Sequence, residues 1–160
     1  MYQMMTALGF DRYADFHRWS IDNVPQFWEA LAEFTDVDFS TPATSTLVQP
    51  GDMTTATFFA DASLSFPQHV LRHTGERAAI VFRGEDGTRR EISFDELREE
   101  VASIAAGLKS LGVEKGDRVA AFLPNCPEAI IAMLAATSLG AVWSSCSPDF
   151  GINGVVDRFG

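Results

Sequence analysis

The sequence predicts an α/β fold in two parts: a helical N-terminal region, then a unit in which strands and helices alternate. Three observations carry this. Apolar residues at Phe10, Tyr13, Phe16 and Trp19, and again at Phe27, Trp28, Leu31 and Phe34, recur at helical spacing. From Ser65 onward short apolar runs alternate with helix-period segments, the pattern of an α/β unit. Inside that unit Val119 to Ser145 reads strand, helix, strand, the order of a parallel crossover.

The two opening amphipathic helices meet around Ser20 to Pro25, where Asp22 or Asn23 can cap the second and Pro25 is tolerated in its first turn. Thr35 to Gly51, rich in Ser, Thr, Asp and Pro, is expected to run as an extended surface connector. Phe66 to His73 predicts a helix. Ala78 to Arg83 and Arg89 to Ser93 predict strands joined by Gly84-Glu85-Asp86-Gly87, whose Asp-Gly pair suits a hairpin turn with its tip in solvent.

Ser93-Phe94-Asp95-Glu96 has the form of a capping box, and Phe94, Leu97, Val101, Ile104, Leu108 and Leu111 follow at helical spacing. Gly112 ends that helix. Arg118 to Leu123 is mostly apolar and predicts a strand buried on both faces, closed by Pro124. Asn125 is the expected cap of a nearly all-apolar helix running to Leu139, with Glu128 at its third position. Gly140 stops that helix, Ala141 to Ser145 predicts a strand, and Gly154 to Phe159 begins another helix. With no closing element after it, the chain is expected to be the leading part of a longer protein, its domain incomplete, with unpaired strand edges and an uncovered apolar helix from Ala129 to Leu139.

Composition narrows the function classes. The 160 residues are 46% apolar, enough for about one ordinary domain core. Twelve Lys and Arg against 22 Asp and Glu leave a net charge of −10, which argues against nucleic acid or an anionic membrane as the main partner. Cys126 and Cys146 fit neither a disulfide scaffold nor a zinc site, as in a reducing compartment. Met1 to Phe10 lacks the basic start and apolar run of a secretory signal. The apolar stretch Ala129 to Trp143 falls short of the roughly 20 residues needed to cross a bilayer. A cytoplasmic protein is the expectation.

Ligands of open α/β sheets bind outside the carboxyl ends of strands, which here means the loops beginning at Pro124 and at Cys146. Other candidates carry less. His69 and His73 lie four apart on a helix, but no carboxylate completes a zincin pattern, and no metal is expected. Cys126 sits at a helix start where the dipole can lower a thiol pKa, yet no neighbouring His activates it, so a packed or capping-region thiol is expected. Gly151-Ile152-Asn153-Gly154 lacks the Lys and Ser/Thr of a phosphate loop. Glu96, Glu99 and Glu100 form the solvated side of an amphipathic helix.

Three strings go further: Gly112-Val113 with Gly116-Asp117-Arg118-Val119-Ala120, then Leu123-Pro124-Asn125 with Pro127-Glu128-Ala129, then Leu139-Gly140-Ala141-Val142. Together they resemble the opening of the adenylate-forming acyl-CoA synthetase superfamily. Val142 to Gly151, with Val156-Asp157-Arg158-Phe159-Gly160, resembles its acetoacetyl-CoA synthetase family. Tyr13 to Phe34, with Arg18-Trp19-Ser20 and Phe27-Trp28, is similar to the helical region preceding the AMP-binding domain in acetyl- and acetoacetyl-CoA synthetases. Phe58-Phe59 and Leu64-Ser65-Phe66 stand where that pattern usually has Trp-Phe and a Leu-Asn-Tyr-like stretch.

The resemblance implies a division into 1–64, an N-terminal region of acetyl-CoA synthetase type, and 65–160, the start of an AMP-binding synthetase/ligase domain. It implies an AMP-forming acid-thiol ligase that joins acetoacetate to CoA using ATP and Mg2+, through an acyl-adenylate and then a thioester. The lysine-ended phosphate loop, the ribose and magnesium carboxylates and the mobile-domain lysine of such enzymes are absent from these residues, so the chain alone is expected to be inactive. Ser147, Pro148, Asp149 and Phe150 are implied, by position, to border the CoA channel; Pro148 removes an amide donor there and Asp149 adds negative charge near a polyanion. An acetate or propionate ligase, or a non-catalytic ligand- or protein-binding module, remains open as an alternative.

Overall fold

Aromatic spacing organises the first half around a small ring cluster. The computed structural model describes residues 1–49 and 51–160, and these fall into two compact units, Met1–Leu64 and Ser65–Gly160. In the first unit, helices α1 (Tyr2–Ala7), α2 (Tyr13–Asp22) and α3 (Val24–Phe34) bury Met4, Met5 and Phe16 among Phe10, Trp19, Phe27, Ala30 and Leu31. The Phe16 ring meets Phe10 edge-on at 5.6 Å and Phe27 at 6.2 Å, geometries that add to simple area burial. Helix α1 is an addition to the expected pair. Its sequence has too few residues to show periodicity, and the burial of Met4 and Met5 against Phe16 holds it.

Asn23 occupies the cap position of α3, but it does not cap it: its side-chain amide donates to the Trp19 carbonyl at 3.0 Å and closes α2 instead, while Asp22 lies within α2. The expected connector Thr35 to Gly51 is also corrected, with Pro50 lying outside the described residues. It contains β1 (Phe39–Thr41), antiparallel to β4 (Ser63–Leu64), and β2 (Ser45–Val48), antiparallel to β3 (Thr57–Ala60). The partners are distant in sequence, so local composition reads as coil. Phe59 adopts a left-handed φ of 49°, rare for a bulky residue, and its ring lies 5.2 Å from Phe39.

In the second unit local signals and structure agree more closely. Helix α4 (Phe66–Leu71) starts at Ser65, whose hydroxyl accepts from the Gln68 amide, and ends two residues before the expected His73. Strands β5 (Ala78–Arg83) and β6 (Arg89–Ser93) pair as the expected antiparallel hairpin. Its turn closes with Gly84 N donating to Thr88 O at 2.8 Å, and Gly87 takes the positive φ of 85° that the turn requires. Helix α5 (Phe94–Ser110) opens with a complete capping box: Ser93 Oγ accepts from Glu96 N at 3.2 Å and Glu96 Oε2 accepts from Ser93 N at 2.8 Å.

Strand β7 (Arg118–Phe122), helix α6 (Pro127–Ser138) and parallel strand β8 (Val142–Cys146) form the crossover, with Arg118 opposite Val142 and Phe122 opposite Cys146. A 3-10 turn, Pro148–Phe150, leads into α7 (Gly151–Phe159), which starts three residues earlier than expected. Leu97 and Val101 of α5 pack with Ile92 of β6 and with Ile131, Leu134 and Ala135 of α6 to form the core. Helix α6 is therefore covered on one face, contrary to expectation. Three further expectations are corrected. Strand β7 alternates exposed and half-buried residues, with Phe122 50% exposed, because β8 is its one strand partner among the described residues. Ile104 and Leu111 of the expected apolar stripe are exposed. Cys126, not Asn125, is the N-cap of α6, since Pro127 takes the first helical position.

Candidate functional site

The carboxyl ends of β7 and β8 point the same way because the pair is parallel, so the segments that follow them, Pro124–Cys126 and Ser147–Asp149, emerge side by side. The structure brings the tip of the β5–β6 hairpin to the same place. Phe82, Arg83, Gly84, Glu85 and Asp86 join both loops in lining a cleft of about 530 Å³. Of the four residues singled out from sequence, Ser147, Pro148 and Asp149 line this cleft. Phe150 is not among the lining residues; its ring lies 4.9 Å beneath the Arg158 guanidinium.

The Ser147–Phe150 loop is organised internally. Ser147 Oγ donates to Asp149 Oδ2 at 2.9 Å and accepts from Asp149 N at 3.4 Å, which caps the 3-10 turn. Gly151 then takes φ 63° and ψ 179°, a conformation open essentially to glycine alone, and this sets the direction in which α7 leaves. The opposite wall is equally self-contained. Asp86 accepts from Thr88 N at 2.9 Å and from Thr88 Oγ1 at 2.8 Å, and these bonds, the backbone one foremost, hold its carboxyl below the ordinary range.

Behind the cleft, Arg90 Nη1 donates to Glu128 Oε1 at 2.5 Å. That hydrogen bond is the main reason the Glu128 carboxyl is held below its usual range, and Arg90 is correspondingly raised. Glu85, Asp86 and Asp149 against Arg83 make the lining predominantly acidic. Asn125 and Ser147 supply neutral hydrogen-bonding groups. Such a lining suits an uncharged polar chain better than a phosphate.

The remaining candidates lie elsewhere. His69 and His73 border a separate apolar cavity of about 430 Å³ with Val70, Ala79 and Ile80, and the His73 ring packs 5.2 Å from Phe94. Among the described residues no group of three His, Cys, Asp or Glu is placed to hold a metal ion. Neither histidine lines the cleft that Cys126 borders, so neither imidazole is presented to its thiol there. No described helix is long and apolar enough to cross a membrane. The tip of the hairpin faces solvent as expected, Glu85 to Thr88 being exposed, but sequence reasoning misses that Phe82 to Asp86 also form a wall of the cleft. No local signal marks it, because the hairpin reaches the loops only through tertiary packing.

Residues 66–158 match the model of the AMP-binding enzyme family. The chain belongs to that family. It is 46% identical over 152 residues to an acetoacetyl-coenzyme A synthetase of Rhizobium meliloti, covering 95% of this chain and 23% of that protein. It is 39% identical over 156 residues to the acetoacetyl-CoA synthetase of Macaca fascicularis, covering 96% of this chain and 23% of that one. A solved structure, acetoacetyl-CoA synthetase from Streptomyces lividans, superposes with a TM-score of 0.82 at 44% identity, over 92% of this chain and 23% of that chain. This family member thus spans about a quarter of the length of the relatives it matches, and corresponds to their N-terminal part.

Proposed function

We propose that this chain is the leading part of an AMP-forming acetoacetate-CoA ligase, with 1–64 an N-terminal region of acetyl-CoA synthetase type and 65–160 the start of the AMP-binding domain. The observation that carries the reading is the match along 95% of the chain to acetoacetyl-CoA synthetases, joined to a structural match at 44% identity. The overall reaction joins acetoacetate and ATP to give the acyl-adenylate and pyrophosphate, after which the CoA thiol displaces AMP. Acetoacetate, ATP and CoA are its small-molecule substrates, Mg2+ its metal, and the cytoplasm its place of action.

Within that reaction the cleft residues Ser147, Pro148 and Asp149, with Phe150 behind them, border the path of CoA. Three carboxylates disfavour its phosphates here, whereas Asn125 and Ser147 can hydrogen-bond the amides of the pantetheine arm. These residues orient one substrate and perform no bond-breaking step. The lysine-ended phosphate loop and the mobile-domain lysine of such enzymes are absent from these residues, so the groups that stabilise the pentacoordinate phosphorus are assigned to sequence outside them.

The test is acetoacetate-dependent pyrophosphate release by the complete protein with ATP, Mg2+ and CoA. Release with acetoacetate that exceeds release with acetate or propionate is the expected result, while the 160-residue chain alone gives none. Preference for acetate or propionate would reassign the acyl substrate. No release with any of the three would replace the ligase with a binding module.

A further inference from the structure

The cleft is built between two separate sheets, and among the described residues no strand ladder joins them: β5 pairs with β6, and β7 with β8. Its width at the mouth is therefore not set by a ladder of backbone hydrogen bonds. The apolar core, Leu97 and Val101 of α5 with Ile131 and Leu134 of α6, also takes in Ile92 of β6 and has Ala79 and Ile80 of β5 packed against it, so it anchors the hairpin strands, but none of these residues lines the cleft. A polar contact does cross from one wall to the other. Arg90 stands on β6 in register with Phe82, which lines the hairpin wall. Glu128 lies in the first turn of α6, two residues after Cys126, which lines the other wall. Their side chains meet at 2.5 Å across 38 positions of sequence, whereas Arg12–Asp15 and Arg89–Glu91 join near neighbours.

Both partners are about half exposed, and exposed ion pairs of this kind contribute little to global stability. A carboxylate in the first turn of α6 is also favoured by the helix dipole, so Glu128 has one side held by its helix and one by Arg90. We infer that Arg90 and Glu128 are positioning residues, a strut that holds the hairpin tip at a set distance from the Pro124–Cys126 and Ser147–Asp149 loops and so tunes the cleft for the pantetheine arm of CoA. Neither side chain lines the cleft. They act through Phe82 and Cys126, which do. The inference rests on the ligase reading and adds to it the residues that shape the CoA path.

The experiment compares Arg90→Gln, Glu128→Gln and the double variant in the complete protein, with acetoacetate-dependent ATP–pyrophosphate exchange and CoA kinetics measured side by side. The expected result is a several-fold rise in KM for CoA in each single variant, larger than any change in the exchange reaction, at near-unchanged melting temperature. The double variant should match either single variant, because the strut can be lost only once. Arg90→Lys, which keeps the charge but not the planar fork, should recover part of the effect. An unmoved KM for CoA, additive effects, or an equal fall in both reactions would each overturn the inference while leaving the ligase intact. Absence of exchange in the unaltered protein would overturn the ligase reading itself, and the strut's proposed role with it.

Discussion

The two units of this chain draw their internal order from different kinds of information. In Met1–Leu64 a few large rings form the core, and the strands pair across long sequence gaps, Phe39 with Leu64 and Ser45 with Ala60. In Ser65–Gly160 several elements carry local start and stop signals, from the Ser65 cap of α4 and the Ser93–Glu96 box of α5 to the left-handed Gly112, and the core is aliphatic. Where local signals are dense, the structure can be read from neighbouring residues. Where order comes from a few non-local contacts, it cannot.

Removing one central side chain from each core probes this contrast most strongly. Phe16 is 2% exposed and Leu134 is 1% exposed. Phe16→Ala should cost about 3–5 kcal/mol and Leu134→Ala about 2–5 kcal/mol, in line with large-to-small core substitutions. Trp19 and Trp28 report on the first unit and Trp143 on the second, so denaturant unfolding followed by fluorescence in single-tryptophan backgrounds separates the two responses. If Phe16→Ala left the Trp19 transition in place, the ring cluster would not be the organising core of the first unit.

A smaller effect tests the claim that local signals support the second unit. Ser93→Ala removes the hydroxyl that accepts from Glu96 N, and should cost about 1 kcal/mol. Asn23→Ala, by contrast, leaves the start of α3 untouched, because the Asn23 side chain serves the end of α2. Loss of amide protection at residues 94–97 in the first variant, without matching loss at 24–27 in the second, is the expected hydrogen-exchange result.

The smallest effect comes from pH. Asp86, Glu96 and Glu128 of the second unit are held below the ordinary carboxylate range by hydrogen bonds, led respectively by the Thr88 amide, the Ser93 amide and the Arg90 guanidinium. In the first unit Asp52 is lowered mainly by the Thr54 hydroxyl. A lowered folded-state pKa contributes stability that is fully present above the unfolded value and is lost as pH falls through the folded one. Acidification through the carboxylate range should therefore reduce protection in the second unit more than in the first. Equal loss in both would show that these hydrogen bonds do not distinguish the units.

Much of the second unit is legible because its signals act within a few residues. The hairpin Ala78–Arg83 and Arg89–Ser93 follows from an apolar run, an Asp-Gly turn and another run. The crossover from β7 through α6 to β8 follows from Pro, Gly and apolar spacing. Errors arise where a neighbour decides the outcome. The capping expectation fails at Asn125 because Pro127 takes the first helical position, one residue beyond the expected start, and leaves Cys126 as the cap. The connector Thr35 to Gly51 hides two strands because their partners lie on the far side of the loop they close.

The site divides in the same way. Its loops after β7 and β8 are placed by the rule that ligands meet parallel strands at their carboxyl ends, which needs only strand order. The hairpin wall and the Arg90–Glu128 bridge are invisible to such a rule, because nothing within a few residues of either partner encodes the other. Read alone, the residues establish the α/β class, most of the element starts marked by caps and turns, and the groups offered at the two strand ends. Three-dimensional packing settles which strands pair in the first unit, that α6 is covered by α5, and that the hairpin joins the two loops in lining a cleft. The cause is range: caps and turns act through bonds a few residues long, whereas pairing and packing depend on which distant segments the whole chain can bring together at once.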